Sequence, residues 1–367
     1  MMLTIHTLFN DPNIVNAVIQ RVLQTRKDVI YWQQYLDFRR TTTRVFKDYI
    51  GTVTGVMAGS INSRYGAKPI RERREIGSGY GEIAYLGDRY QISIDRLSDL
   101  QDLVDKYNAA KTADQVQAMR DIVDFIYDDY RQVLLAPHKR MDIVVGSLLM
   151  TGKATVKNKD DNAGGIDLLK IDLPLKTITP DTGDKTNFIT YLQQQINALR
   201  PDYGVFPKMI MSRGTFVKNI IGSAEFGDKF KMQLSGNEMY LSTGLITSQL
   251  ASQVFTGIGL PAIEIKEDYV KDQTGKNVAI YADDRITLLP QDRIGYMRWH
   301  TPYEATDPTP GRNYSGTDSD RTGSNGGMLI CGYKDDNGRY LEYTAEWIPQ
   351  ITNPNLIVNF DLSTMNA

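Results

Sequence analysis

The chain has 367 residues and a formal net charge of −2, from 42 lysines and arginines against 44 aspartates and glutamates. That length predicts about two lobes of roughly 150 residues each; an apolar share of 41% can build their cores, and a charged share of only 23% excludes bulk disorder. The balanced charge argues against a tight grip on nucleic acid, and the single cysteine, Cys331, excludes an internal disulfide framework and a cysteine-rich metal site.

The first residues lack the basic start and apolar core of a signal peptide. No run approaches the roughly 18 apolar residues of a membrane span. Both point to a protein made or assembled in a reducing cytoplasm, with no membrane partner.

Residues 1–48 read as an arm containing a helix. Asn10 or Asp11 caps it, Pro12 sits in its first turn, and Val15, Val18, Ile19 and Val22 form its apolar stripe. Residues 27–44 read as extended. Residues 49–92 are glycine-rich and have little to build a core of their own, so they read as a long projecting loop. That loop carries the basic residues Arg64, Lys68, Arg71, Arg73 and Arg74, offset by Glu72 and Glu75. Tyr65 is the lone aromatic among them, too few for a base-stacking platform. Contact with acidic groups of another subunit is the favoured role. Short strands are predicted at 83–86 and 90–94.

The strongest helical stretch is 112–150. Val116, Met119, Val123, Ile126 and Tyr130 recur at spacings of three and four, and Met141, Val144, Val145, Leu148 and Leu149 repeat the stripe. Pro137 lies between them and predicts a kink or a fresh helix start. Gly152 is placed to end the helix in a left-handed conformation. A hairpin follows, pairing 154–157 with 168–173. Then come a helix over 187–199 with Phe188, Tyr191, Leu192 and Ile196 on one face, a buried strand at 208–211, and a short helix at 215–221.

Between Ile263 and Leu289, two alternating runs flank the polar turn 272–276, in which Gly275 supplies a positive φ. Ile263 and Ile265 read as the strand opposite Val278 and Ile280. Asp283-Asp284 and the apolar run Ile286 to Leu289 come next. Residues 303–327 read as loop. Residues 343–347 and 356–362 read as two strands separated by Pro349 and Pro354.

Few residues suggest chemistry. Gly77-Ser78-Gly79-Tyr80-Gly81 has no helix after it and no Gly-Lys-Ser/Thr, so it is a turn rather than a phosphate cradle. Asp160-Asp161 and Asp283-Asp284 flank turns, where aspartate favours local hydrogen bonds. His6, His138 and His300 are scattered, and His138 reads as a surface residue in the first turn after the Pro137 break. Cys331 reads as a small buried apolar residue. No catalytic constellation, metal site or cofactor site is expected. A two-lobe hydrolase using Asp283 or Asp284 is the rival of a different class.

Four blocks in this order resemble the lambda-type major capsid proteins of tailed bacteriophages. They are the glycine-rich loop from Gly55 to Ile94, the long helix ending in Leu148-Leu149-Met150-Thr151-Gly152-Lys153 before a hairpin, the stretch from Tyr269 to Leu289, and the closing segment Pro349 to Leu362 with Asn353-Pro354-Asn355. Together they span most of residues 50–362.

The resemblance implies an α+β Hong Kong 97-type fold. Its parts would be an N-terminal arm (1–48), an extended loop (49–92), a peripheral domain with a spine helix (93–185, with the hairpin 262–285 returning to it), and an axial domain (186–261 and 286–367). It implies self-assembly as pentamers and hexamers into an icosahedral head around double-stranded DNA, which is held non-specifically. The virion would be the protein's location, after assembly in the host cytoplasm.

The partners implied are further copies of the chain, a separate scaffolding protein because the arm is short, a portal, and the decoration protein common in such shells, to which no residue here points. Pro137 becomes the candidate hinge of the spine helix. Lys68 is the lone lysine of the loop proper, so a lysine–asparagine crosslink is not expected. An encapsulin-like nanocompartment and a phage tail or neck protein are the related alternatives.

Overall fold

The computed structural model describes residues 2–25, 30–50, 77–157, 167–223, 225–226, 248–271, 275–312, 314–316, 326–335 and 338–366. The chain forms two compact units. The first holds Met1–Phe46, Tyr80–Met141 and Tyr296–Gln350; the second holds Lys47–Gly79, Asp142–Gly295 and Ile351–Ala367.

The first unit is built on a six-stranded sheet whose long member, Gly338–Ile351, pairs with Gly295–His300, Leu329–Asp335 and Ala84–Ile92. The two short strands expected at 83–86 and 90–94 are one continuous strand. Gly87 and Asp88 stay in the ladder opposite Thr344 and Tyr343, and the Tyr343 hydroxyl donates to the Asp88 carboxylate, which gives that polar residue a partner within the sheet. The expected break at Pro349 is also absent. The ladder with Ala84–Ile92 ends at Trp347, so on that edge the proline's missing N–H breaks no bond.

Helices cover one face of this sheet. Helix α1 (Ile5–Asn10), which the sequence reading did not anticipate, is capped by Thr4 and buries Leu8 and Phe9. Helix α2 (Pro12–Thr25) buries the expected stripe of Val15, Val18, Ile19 and Val22. The Asp11 carboxylate accepts from the Asn13 N–H at 2.9 Å, as a cap should. Helix α3 (Ile94–Ala109), also unanticipated, starts at the Ser93 cap and buries Leu100 and Val104.

Helix α4 runs from Thr112 to Thr151 without interruption, and Pro137 lies inside it. This corrects the expectation of a fresh start. Val133, Leu134, His138 and Met141 are buried on either side of the proline, and their packing offsets its cost of about 3 kcal/mol. His138 is therefore no surface residue. It is 1% exposed, with its ring 5.7 Å from Trp32 and 4.9 Å from Trp347. The helix ends as predicted: Gly152 has φ 74°, and its N–H donates to the Leu148 carbonyl. The passage from the first unit to the second, at Met141–Asp142, lies within α4.

The second unit centres on a five-stranded mixed sheet in the order Lys176–Ile178, Val358–Asp361, Arg285–Leu289, Lys208–Ser212, Ala262–Lys266. Its core takes Phe188, Leu192 and Ile196 from helix α5 (Phe188–Tyr203), and Met209, Met211, Ile286, Leu288, Val358 and Phe360 from the strands. The expected hairpin pairs Lys153–Lys157 with Asp167–Asp172. A second hairpin joins Tyr269–Lys271 to Asn277–Ala279, with Gly275 at φ 79°. The strand opposite Val278 is thus the one holding Val270, not the one holding Ile263 and Ile265. Those isoleucines lie parallel to Met209 and Met211 in the larger sheet.

Charge holds the edge of that sheet. The Lys208 ammonium bonds Glu264 at 3.1 Å and Asp292 at 2.6 Å, and Lys266 also pairs with Glu264. Burial alone would raise Glu264, but the hydrogen bonds and charges of Lys266 and Lys208 outweigh it and hold the carboxyl below its usual range. Asp361 is likewise held low: burial pushes it up, and Ser363 and Arg285 more than reverse that. Groups depressed in the folded state stabilise above the unfolded pKa and lose that contribution as pH falls through the folded value. The melting temperature of the second unit should therefore drop between about pH 5 and pH 3, and Glu264→Gln should flatten part of the drop. Calorimetry across that range checks this; a slope unchanged by the substitution would contradict it.

Candidate assembly surface

The residues singled out for chemistry fall into three groups. Arg64, Lys68, Arg71, Arg73, Arg74 and Asp160-Asp161 lie outside the described residues. Gly77–Gly81 belongs to a strand, Gly77–Glu82, paired with Val45–Ile50, which is no phosphate cradle. Asp283 and Asp284 serve the local fold. Ser212 donates its hydroxyl to Asp283, and a Cβ on Gly214 would sit 2.3 Å from the same carboxylate. Asp284 adopts φ 59°, donates its N–H to Thr215 at 2.8 Å, accepts from Asn366, and lies 3.5 Å from the Lys218 ammonium. Among the described residues, no three His, Cys, Asp or Glu side chains are grouped to hold a metal ion.

The polar organisation of the first unit is more extensive. Along Gly338–Ile351, side chains alternate between the two faces of the sheet. Leu341, Tyr343, Ala345 and Trp347 are buried, and Trp347 meets His138 of α4. Tyr340, Glu342, Glu346 and Gln350 point the other way and carry a layer of arginines. Glu342 holds Arg312 at 3.2 Å and Arg89 at 3.5 Å. Both guanidinium groups also lie over the Tyr333 ring, at 3.7 and 5.4 Å. Glu346 accepts from Arg44 and lies 2.7 Å from His300 Nδ1; the hydrogen bond from Arg44 raises that arginine above its ordinary value. Arg298 donates to Gln350, and Arg39 sits 4.9 Å from the centre of the Tyr296 ring.

The carboxylates of this layer are more covered than the guanidinium groups of Arg44 and Arg89, while Arg312, stacked on Tyr333, is itself only 23% exposed. The Glu346 side chain is 2% exposed and that of Glu342 16%, against 50% for Arg44 and 51% for Arg89. Stacking on tyrosine and pairing to covered glutamates fix the arginines in position. The face can offer pre-oriented donors to carboxylate or phosphate groups. Sequence reasoning missed it because its members come from six separate segments. The signal was present locally, in the alternation Tyr340, Glu342, Thr344, Glu346 against Leu341, Tyr343, Ala345, Trp347.

Solved structures with a similar path of chain exist. A protein of an Escherichia coli CFT073 prophage, assigned as its capsid protein, superposes with a TM-score of 0.54 at 11% identity, over 96% of this chain and 99% of its own. The chain has the Hong Kong 97-type capsid fold. A phage-related protein of Bordetella bronchiseptica RB50 superposes at a TM-score of 0.50 and 8% identity, over 96% of this chain and 98% of its own. No family model matches the sequence, nor does any curated protein. The fold expected from the four sequence blocks is thus the fold observed, reached at identities where only the three-dimensional path retains the likeness.

Proposed function

We propose that this chain is the major capsid protein of a tailed bacteriophage, assembling as pentamers and hexamers into an icosahedral head around double-stranded DNA. The observation that carries this reading is the end-to-end match to the prophage protein assigned as a capsid protein, which leaves neither chain with a large unmatched domain. The local roles of Asp283 and Asp284 also weaken the hydrolase alternative.

Function then resides in contacts between copies. Each contact can be modest, because many act together on every subunit. In this reading residues 1–48 are the arm, 49–92 the extended loop, 93–185 with 262–285 the peripheral domain, and the remainder the axial domain. Arg64, Lys68, Arg71, Arg73 and Arg74 are contacts to neighbouring copies. The head is the protein's location, and its net charge of −2 suits a wall that encloses DNA without binding it tightly.

The test is to express the chain alone and with its adjacent genes and to image the products by negative-stain electron microscopy. Closed shells, or rings of five and six, are expected. A monomer under every condition, with a scaffolding protein present, would refute the reading. Shells filled with a cargo enzyme instead of DNA would move it to a nanocompartment.

Pro137 is the proposed hinge of α4. It withholds one backbone N–H from the middle of a 40-residue helix, so bending concentrates there. Pro137→Ala is expected to leave folding and assembly intact and to slow the change of particle size on maturation. Time-resolved light scattering reads this, and identical kinetics for the two proteins would remove the hinge.

A further inference from the structure

The first unit carries a second charged surface, on the side away from the arginines. In α3, Asp95, Asp99 and Asp102 follow one another at spacings of four and three. In α4, Asp114, Asp121 and Asp128 recur every seven residues. Each set forms a single stripe along its helix. All six residues are exposed, and the stripes lie opposite positions that α3 and α4 bury, Leu100 and Val104 in one, Ile126 and Tyr130 in the other. The two helices are tied together by Arg96, which bonds Asp129 at 2.9 Å.

These helices lie on the covered side of the sheet. Phe9 of α1 stacks on Tyr130 of α4, and a Cβ added at Gly332 would meet Phe9 at 3.0 Å. The arginine layer is on the other side, fixed by the alternation along Gly338–Ile351. One compact unit therefore presents guanidinium groups on one face and carboxylates on the opposite face. Whole-chain charge is almost cancelled, as expected when a surface finds its complement on another copy of the same chain rather than on a polyanion.

We infer that the arginine face of the first unit, built on Arg39, Arg89 and Arg312, docks against the aspartate stripes of α3 and α4 on a second copy of this chain. The contact is heterologous: two different patches meet, and each copy keeps one of each free for the next. Arginine and tyrosine in a fixed array are the residues that concentrate binding energy at protein interfaces, and the aspartates supply matching charge. Complementary faces also reject the wrong pairing, since arginine face on arginine face is repulsive. The inference deepens the assembly reading and rests on it.

Three variants of the full chain test it: Arg39→Glu with Arg89→Glu, Asp99→Lys with Asp102→Lys, and all four together. Assembly is followed by sedimentation velocity at low salt, and folding by circular dichroism. Each double variant should raise the concentration needed for assembly by about tenfold or more, and the fourfold variant should recover most of that loss. Rising salt should weaken the parent in the same direction.

If the parent chain itself never assembles, the capsid reading has failed. If the parent assembles and the aspartate variant, whose changes sit on an exposed helix surface, assembles equally well, this interface is wrong. A folded fourfold variant no better than either double variant also overturns it. So does an arginine variant that assembles normally but no longer retains DNA, which would assign the face to nucleic acid. Should the arginine variant fail to fold, the aspartate variant and the salt series still decide.

Discussion

Gly146→Ala is expected to destabilise the second unit by about 2–4 kcal/mol, although the same change in an ordinary helix interior stabilises by about 0.5–1 kcal/mol. The sign reverses because α4 runs against backbone at this point. A Cβ on Gly146 would lie 2.2 Å from the Ile280 carbonyl oxygen and 2.9 Å from its Cγ2. The carbonyl has little room to withdraw. The Ile280 N–H is bonded to Asp268 at 3.0 Å, and two residues on, the Ala282 N–H points at the Met150 sulfur at 2.9 Å. Relief requires the helix to move, and Leu148 and Leu149, fully buried, resist that. Urea denaturation of both proteins checks the prediction. An alanine variant as stable as the parent would mean that the helix does not approach this closely.

The second large effect is expected at Trp347. Trp347→Ala should cost the first unit about 3–5 kcal/mol, because the ring is fully buried among Trp32 at 6.3 Å, Phe38 at 5.1 Å and His138 at 4.9 Å. Its indole N–H also donates to the Gly326 carbonyl at 2.7 Å. Trp347→Phe separates the two contributions. It keeps most of the packing and loses the hydrogen bond, so it should cost about 1–3 kcal/mol, the larger values if the carbonyl stays dry. Chemical denaturation with near-ultraviolet circular dichroism reads both variants. An alanine variant within about 1 kcal/mol of the parent would show that the cluster collapses around the gap and is not a rigid centre.

Where one face of an element is buried and its spacing is regular, the sequence was readable. The stripe of α2, the Met141 to Leu149 stripe of α4, the Phe188, Leu192 and Ile196 face of α5 and the run Ile286 to Leu289 were visible from periodicity alone; the earlier stripe of α4 was right only at Ile126 and Tyr130, since Val116 is 60% exposed and Ile122 is the buried position. So were the terminator Gly152 and the turn at Gly275, since only left-handed backbone requires glycine there. Failures cluster where long-range pairing overrides local preference. Gly87 and Asp88 look like a loop until Tyr343 and Thr344 stand opposite. Pro349 looks like a strand end until the ladder with Ala84–Ile92 is seen to stop before it, at Trp347. His138, beside a proline, looks like surface until Trp32 and Trp347 close over it from far away in the chain. The arginine layer needed that same information, because Arg39, Arg89, Arg312 and Glu342 meet only through the sheet.

The lone thiol has an experimental consequence. Cys331 sits inside the sheet of the first unit, between Tyr314 and Glu342 of the flanking strands, and is 1% exposed. An aromatic disulfide reagent reaches it only while that sheet is transiently open, so its labelling rate reports the free energy of local opening. With one sulfhydryl per chain, the signal from the proposed particle of many copies would be as simple as that from one subunit. The ratio of the two rates would measure directly how far neighbours in the proposed particle clamp each subunit shut.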